Sequence, residues 1–380
     1  MGFFPRGFGK KVLGTAPNFS GTFGDLATRG RPILLSPAFY KGMLQLLVAA
    51  LTLRSPQVLR MRDATTKQEI ALVGTVHYNP ASVERSKEEV TLSLDRNEKV
   101  GAVVVESCAS RWGRSLELSP PGSLIAKLTQ SEMQSAAGVA LQSNVPIMLG
   151  DADAGAFLPR VKELGKQTVR ELADPLSGGW ASVYRDFART LPGTLFPDDV
   201  AKSDLLLEGE EPIGLQDFAR KEVLIGFLFS LVRYPLAFAL KAPLPFAGFA
   251  TFIVALDSTA SQLDAAAEVS MAAGDVFSLP IVATLVFSTL TFGLSVLTSR
   301  LLLVAFLEER NAELARSIRR AAAETDGPVV AILGGLHVNG VARLLMSEAT
   351  PDADTAAYNR DADGVWWEVP AGLDVRKWVS

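Results

Sequence analysis

The chain has 380 residues, 48% of them hydrophobic, and a formal net charge of -4 at pH 7. A pI near 5.5 argues against a nucleic-acid-binding protein, which usually carries a basic face, and a mean hydropathy of +0.23 is high for a soluble enzyme and predicts contact with a lipid bilayer. The single cysteine, Cys108, excludes an intramolecular disulfide.

Residues 1–62 form a basic amino-terminal segment. Asp25 is its only acid, against nine arginines and lysines. Basic segments with few acids are typical of organellar transit peptides, so we expect an organellar membrane, with the chloroplast favoured over the mitochondrion. A basic tail without targeting function is the alternative. The apolar run 43–53 is too short to span a bilayer and predicts a core or docking helix.

Four short apolar runs further along the chain each end in a polar residue. Continuous apolar runs of this length are typical of strands buried on both faces of a parallel sheet. Ligands bind beyond the carboxyl ends of such strands, so the four polar residues are expected to converge there. We interpret Gly74 and Gly334 as allowing sharp backbone turns. The runs are 70–76, 101–105, 145–150 and 329–336, and the residues that follow them are His77, Glu106, Asp151 and His337.

Helical patterns connect these runs. Asn79 and Pro80 are a good cap and first residue for a helix over 81–97, which with the next strand predicts a right-handed βαβ unit. Further helices are expected over 123–143, 156–172 and 301–323, and the mixed stretch 174–212 is interpreted as loops or a helical lid. The predicted fold class is α/β, a mainly parallel sheet flanked by helices and interrupted by an apolar helical hairpin.

The apolar insertion covers residues 223–299. Residues 276–299 hold 24 positions without a charged side chain, enough to cross a bilayer, and 234–256 is the best earlier span. The chain must cross an even number of times if the strands before and after the insertion share one site. A hairpin buried in a soluble core or a dimer interface is the alternative.

The charges around the insertion predict its orientation. By the positive-inside rule the main domain stays on the stromal or matrix side, and the acidic connection is translocated. The flanking basic residues are Arg220, Lys221, Arg300 and Arg310, and the acids between the spans are Asp257, Asp264, Glu268 and Asp275.

The predicted domain organisation follows from these boundaries. An amino-terminal segment (1–62) precedes the first part of the α/β domain (68–222), the hairpin (223–299), the second part of the domain (300–346) and a tail (347–380). Three tail residues, Trp366, Trp367 and Trp378, are expected to pack back on the domain. An anchor at the membrane interface is the alternative.

The two histidines of the chain both close a Gly-x-x-His sequence. Two imidazoles and a carboxylate are the ligands from which catalytic zinc, manganese or iron sites are built, so His77, His337 and Glu106 predict a divalent metal site. Two core or turn histidines bonded to backbone are the alternative. Cys108 also suggests a Cys-His nucleophile, against the alternative of a small buried hydrophobe.

Four segments, in order and spacing, resemble the TraB/PrgY/Tiki family. They are Val73-Gly74-Thr75-Val76-His77, Val103-Val104-Val105-Glu106-Ser107-Cys108-Ala109-Ser110-Arg111, Glu309-Arg310-Asn311-x-x-Leu314-Ala315 and Gly334-Gly335-Leu336-His337. The resemblance covers roughly residues 68–345. It implies an erythromycin-esterase/ChaN-like fold and, for the Tiki branch, a metal-dependent protease that uses His77, His337 and Glu106. Asp151 and Arg160 match the family pattern more loosely. Ser107 is a departure, because the family often has leucine after the glutamate.

The expected function is therefore a membrane-anchored hydrolase that uses zinc, manganese or cobalt to cleave a peptide or acyl bond. Glu106 would be a ligand or a general base. Arg111 would bind a substrate carboxylate or orient Glu106 through a forked ion pair, and Arg310 is expected to reach the site. The alternatives are a non-catalytic membrane protein that binds a peptide or signal, and a membrane scaffold or tether. A homo-oligomer is left open.

Overall fold

The computed structural model describes residues 57–97, 99–174, 178–195, 198–273, 279–348 and 364–378. The expected transit-like segment, up to residue 56, and the apolar run 43–53 lie outside the described residues.

Six strands form one mixed sheet in the order β1-β2-β5-β3-β4-β6. The four central strands, β2, β5, β3 and β4, run parallel to one another, whereas β1 and β6 pair antiparallel at the two edges. The prediction of a mainly parallel sheet is thus confirmed in part. Strand β5 lies between β2 and β3, so these two are not the neighbours that a simple βαβ unit would make them. The strands are β1 Val58–Arg62, β2 Glu69–Thr75, β3 Ala102–Val105, β4 Ile147–Leu149, β5 Val329–Gly334 and β6 Val365–Trp366.

Helices cover both faces of the sheet, which explains why the central strands are apolar at every position. The helices α1, α2 and α4 pack on one face, and α12 and α13 pack on the other. In chain order the helices are α1 Pro80–Arg96, α2 Ala109–Leu118, α3 Leu124–Leu128, α4 Glu132–Gln142, α5 Ala154–Ala173, α6 Gly179–Leu195, α7 Asp198–Ala201, α8 Leu215–Phe218, α9 Lys221–Lys241, α10 Pro243–Ala272, α11 Leu279–Leu303, α12 Arg310–Glu324 and α13 Gly335–Leu345.

Two helices differ from their predicted bounds. The helix expected over 123–143 is two helices, because α3 ends at the capping residue Thr129 and α4 begins after Ser131. The helix expected over 301–323 contains a π-helical segment, Val304–Glu309, which joins α11 to α12. One-turn π segments are common beside functional sites, and this one ends directly before Arg310.

In the part of the chain that the structure describes, three helices, α9, α10 and α11, are long and apolar enough to cross a membrane. The predicted single span over 234–256 is wrong in its bounds, because α9 ends before Ala242 and Pro243 begins α10. Proline disfavours a helical conformation in the residue before it, which accounts for the break. Asp257, Asp264 and Glu268 lie on exposed positions of α10, so this part of the expected acidic loop is helical.

Helix α10 packs against α11 as a hairpin, with the hydroxyl of Thr284 donating to the carbonyl of Leu263 at 3.2 Å. Helix α9 instead lies on the α/β domain. The Asn79 side chain donates to the Val223 carbonyl at 2.9 Å near the start of α9, and Lys241 at its end donates to the Tyr78 hydroxyl at 3.3 Å. One face of α9 therefore contacts the domain along the whole helix.

The tail tryptophans pack on the domain as predicted. Trp367 and Trp378 meet the ring of Trp112 edge-on, with centroids 5.4 and 6.0 Å away, and Trp378 is 9% exposed. Strand β1 is not among the predicted strands, because its residues fall in the basic segment 1–62. Arg60 in this strand is buried and bonds to Glu89 of α1 and to Glu210.

Candidate active site

The polar residues that follow β2, β3 and β5 meet at Gly334. A methyl group added at Gly334 would lie 3.2 Å from Glu106 Oε2 and 3.5 Å from both His77 Nε2 and His337 Cδ2. Strand β5 lies between β2 and β3 and brings its carboxyl end beside theirs. Residues that are 260 positions apart, His77 and His337, are thereby brought to one point.

His77 lies in the turn between β2 and α1, and its ring is held by a carboxylate. Its Nδ1 lies 2.5 Å from Glu132 Oε1 at the start of α4. A carboxylate only accepts hydrogen bonds, so Nδ1 donates and Nε2 is directed toward Gly334. Burial lowers the pKa of His77, but the charges of Glu132 and Glu106 outweigh it and raise the pKa to about 9.

His337 lies in the first turn of α13 and is held by an amide. Its Nδ1 lies 2.6 Å from Asn311 Oδ1, and its Nε2 lies 3.5 Å from Glu106 Oε1. Since the amide oxygen accepts, Nδ1 donates and Nε2 faces the glutamate. Burial lowers the pKa of His337 below its ordinary value, although the charge of Glu106 acts in the opposite direction.

Glu106 and Asp151 are buried carboxylates bridged by arginines. Arg310 donates to both of them, and Arg111 donates to Asp151. The backbone N–H of Gly334 donates to the second oxygen of Glu106. Burial raises the pKa of Glu106, but His337, Arg310 and His77 together lower it to about 2. Asp151 remains ionised as well, because Arg310 and Arg111 hold its pKa below its usual range despite burial.

Asp151 thus belongs to the cluster through its ion pairs with Arg111 and Arg310. Arg160 and Cys108 have different partners. Arg160 forms a forked ion pair with Glu309, with contacts of 2.7 and 3.0 Å. Cys108 is buried and contacts the Ser110 hydroxyl at 3.3 Å and Arg111 Nε at 3.4 Å. These neighbours lower the pKa of the Cys108 thiol, although burial alone would raise it.

The motif glycines are required for space and not for a turn, contrary to our interpretation of the sequence. Neither Gly74 nor Gly334 has a positive φ angle. A methyl group on Gly74, inside β2, would meet Ile213 and Val338 at 3.0 Å, and one on Gly334 would fill the point that the site residues face. The unusual backbone is at Tyr78, which follows His77 with φ 60°.

Two residues that orient the histidines, Glu132 and Asn311, were missed by the sequence analysis. Asn311 stands in the quoted Glu-Arg-Asn block, so its position carried a signal. Glu132 stands in an ordinary helical stretch, and only the fold brings it to His77.

The residues of this cluster fit a divalent metal ion by their chemistry. Metal-binding histidines usually donate the second ring N–H to a carboxylate or carbonyl, as His77 and His337 do to Glu132 and Asn311. Among the described residues, no three His, Cys, Asp or Glu side chains form a ready metal-binding group. Glu106 accepts one hydrogen bond at each oxygen, from Arg310 and from the Gly334 N–H, and each oxygen keeps a second lone pair with which it could bind a metal.

Two cavities meet at His77. A cavity of about 500 Å³ lies between the Gly-x-x-His sequences and α9, and a second of about 460 Å³ lies between α2, α4 and α9. His77 and Tyr234 line both. The cluster is therefore accessible from two sides.

No family model matches the chain, and none of the curated proteins matches it. The resemblance to the TraB/PrgY/Tiki family is therefore carried by the four segments alone.

Proposed function

We propose that the chain is a membrane-anchored, metal-dependent hydrolase of the TraB type that acts on a peptide or acyl bond. The observation that carries the proposal is the convergence of His77, Glu106 and His337 on Gly334. Three groups of this kind, each oriented by a second hydrogen bond, are what a catalytic metal site requires.

His77 and His337 would hold the metal through their Nε2 atoms. When bound, a divalent ion supplies Lewis acidity, which activates water and polarises a carbonyl group. Glu106 is better suited to be a ligand than a general base, because a base should have a pKa near the working pH and that of Glu106 is about 2.

The arginines support this cluster. Arg310 positions Glu106 and Asp151 at once, and Arg111 holds Asp151 from the other side. Arg111 is 45% exposed at its side chain and lines the cavity between α2 and α4, so it is placed to contact a substrate carboxylate or phosphate.

The hairpin α10–α11 is the proposed membrane anchor. Strands β2 and β5 pair in one sheet, so the chain between them crosses a bilayer an even number of times and the three apolar helices cannot all span it. Helix α9 is attached to the domain at both ends. We therefore assign the two crossings to α10 and α11 and place α9 at the membrane surface. An organellar membrane, with the domain on the stromal or matrix side, accords with the charge pattern of the sequence.

A binding protein without catalysis is the second candidate. It is favoured by the ion pair of Glu106 with Arg310 and by the bond from the Gly334 N–H, which engage both carboxylate oxygens. In that case the cluster would fix the shape of a pocket for a peptide or signal.

Metal content separates the two candidates. The full chain, purified in detergent, is incubated with zinc, manganese or cobalt, and bound metal is measured by mass spectrometry beside His77→Ala, His337→Ala and Glu106→Gln. Glu117→Gln, an exposed glutamate of α2, is the matched control. We expect near-stoichiometric metal in the parent and in the control, loss in both histidine variants, and weaker binding in Glu106→Gln.

A parent protein that stays metal-free after all three incubations would overturn the hydrolase proposal and leave the binding protein. Metal that persists in either folded histidine variant would show that the ion binds elsewhere.

A further inference from the structure

The two cavities beside His77 differ in character. The one along α9 is lined almost entirely by apolar groups: Phe218, Phe227, Leu231, Tyr234, Pro235 and Leu336. The one between α2 and α4 has more polar groups in its lining and carries four basic residues, Arg111, Arg114, Lys241 and Arg310. His77 stands where they meet, so a molecule in contact with the histidine cluster can extend into an apolar space on one side and a basic space on the other.

The apolar cavity opens along the exposed face of α9. Phe227, Leu231 and Leu336 line it and are still 47%, 56% and 63% exposed. The same face of α9 continues in Leu224, Leu228 and Val232, which are also more than half exposed. An apolar surface of this extent marks a membrane or protein contact, and here it adjoins a chain with three helices able to enter a bilayer.

This basic cavity, between α2 and α4, has more positive than negative side chains. Its four basic residues face two lining carboxylates, Glu106 and Glu132, and a third, Asp151, which bonds to Arg111 and Arg310. Lys241 donates to Tyr78 and Ser115 and lies 5.7 Å from the Tyr78 ring centroid, so its ammonium group is held at the cavity wall. Such a space fits a carboxylate or a phosphate.

We propose that the substrate is an anionic acyl ester drawn from the lipid bilayer. Its acyl chain lies in the apolar cavity along α9, its anionic group lies in the basic cavity, and its ester bond lies at His77. This inference rests on the proposed hydrolase and names its substrate class, an acyl ester instead of a peptide. In the hydrolysis the ester bond between the acyl carbon and the alcohol oxygen breaks. Water gives its hydroxyl to the acyl carbon and a proton to the alcohol oxygen.

The position of the apolar cavity along α9 favours a lipid as the molecule that occupies it. The helix contacts the domain through Tyr78 and Asn79, so its inner face forms the cavity wall while its outer face meets the bilayer. A lipid can thus move from the membrane into the cavity without exposing its chain to water, whereas a soluble peptide would gain nothing from this opening.

Binding of oleoyl lysophosphatidate to the full chain in detergent micelles tests the proposal. This probe carries one acyl chain, one ester and one phosphate. Glycerol 3-phosphate, which lacks the chain, and oleyl alcohol, which lacks the phosphate, are the comparators. Affinity is measured by tryptophan fluorescence and native mass spectrometry on chelator-treated protein and again after metal loading.

Two pairs of variants locate the bound molecule. Leu231→Trp fills the apolar cavity, and Leu228→Trp, at an exposed position of the same helix that does not line the cavity, is its control. Lys241→Gln removes a charge from the basic cavity, and Lys221→Gln, which is 86% exposed on α9, is its control. We expect the affinity for lysophosphatidate to fall about 10-fold or more in Leu231→Trp, where the indole occupies the space of the acyl chain, and in Lys241→Gln, where a charged contact is lost. Both controls should keep the affinity of the parent protein.

Equal affinity in Leu231→Trp and Leu228→Trp, or binding of glycerol 3-phosphate as tight as that of lysophosphatidate, would overturn the proposal. Because lipid binding is also measured on chelator-treated protein, its result does not depend on whether the protein binds metal. Lipid bound by a protein that takes up no metal would support the occupant and refute the hydrolase, and the reverse result would refute only the lipid.

Discussion

At the scale of single residues, the two histidines differ although their sequence motifs match. His77 stands in a turn, paired with Glu132, whereas His337 stands in the first turn of α13, beside Asn311. The carboxylate raises the pKa of His77 to about 9, while burial keeps that of His337 below its ordinary value. The environment of each ring, and not its motif, sets its charge.

Glu132→Gln should lower the pKa of His77 toward its ordinary value, because the amide removes the charge that favours the imidazolium. The chain has only two histidines, so ring resonances in chelator-treated protein give two separate titration curves by NMR. The curve of His337 should hardly move, since the pKa of His337 is set mainly by burial. An unchanged His77 curve would show that Glu132 does not control this ring.

Gly334→Ala should weaken metal binding with little loss of stability. The new methyl group would press on Glu106 Oε2 at 3.2 Å, so the glutamate must shift, and disturbing groups around a metal site typically lowers affinity about 10- to 100-fold. Gly113→Ala is the control, because nothing lies within 4 Å of its added carbon. In a helix this change should raise stability by up to about 1 kcal/mol and leave metal affinity unchanged. Metal titration and thermal melting measure both effects.

At the scale of elements, an ion pair fastens the edge strand β1 to α1. Arg60 is 7% exposed at its side chain, and its partner Glu89 is fully buried. Arg60→Met removes a positive charge that balances the buried Glu89 carboxylate. Breaking such a buried ion pair typically destabilises a protein by about 3–5 kcal/mol. Arg62→Met, exposed on the same strand, should change the free energy of unfolding little. Chemical denaturation measures both, and adding Glu89→Gln to Arg60→Met should restore part of the loss.

The sequence predicted the central elements well, because each of the four parallel strands is a continuous apolar run. It also predicted their convergent polar ends, since parallel strands present their carboxyl ends at one edge of a sheet. Strand β1 was missed because Arg60 and Arg62 resemble a basic tail until Glu89 is seen beside Arg60. The position of β5 between β2 and β3, and the approach of Glu132 to His77, depend on contacts between distant segments that no local pattern encodes.

At the scale of the whole molecule, the sheet constrains how the proposed anchor can cross a bilayer. The strands that pair across the apolar insertion, β2 and β5, lie in register over six residue pairs, so both ends of the insertion return to one side. Among the described residues three helices are long and apolar enough to be spans, and an odd number of crossings between β2 and β5 is incompatible with their pairing. The contacts of α9 with Tyr78 and Asn79 support our proposal that α9 is the helix that stays with the domain.

Impermeant thiol labelling tests this topology in sealed vesicles. Cys108→Ser provides a cysteine-free background, into which Lys99→Cys, on the domain, or Ala273→Cys, at the end of α10, is introduced. Lys99 is 66% exposed at its side chain, and Ala273 is also exposed. If α10 and α11 cross the bilayer, a maleimide added outside should label only one of the two variants in vesicles of uniform orientation. The second variant should be labelled only after detergent is added, because detergent dissolves the bilayer that separates its cysteine from the maleimide. Labelling of both variants in intact vesicles would place the hairpin on the domain side and return the apolar helices to a surface or interface role.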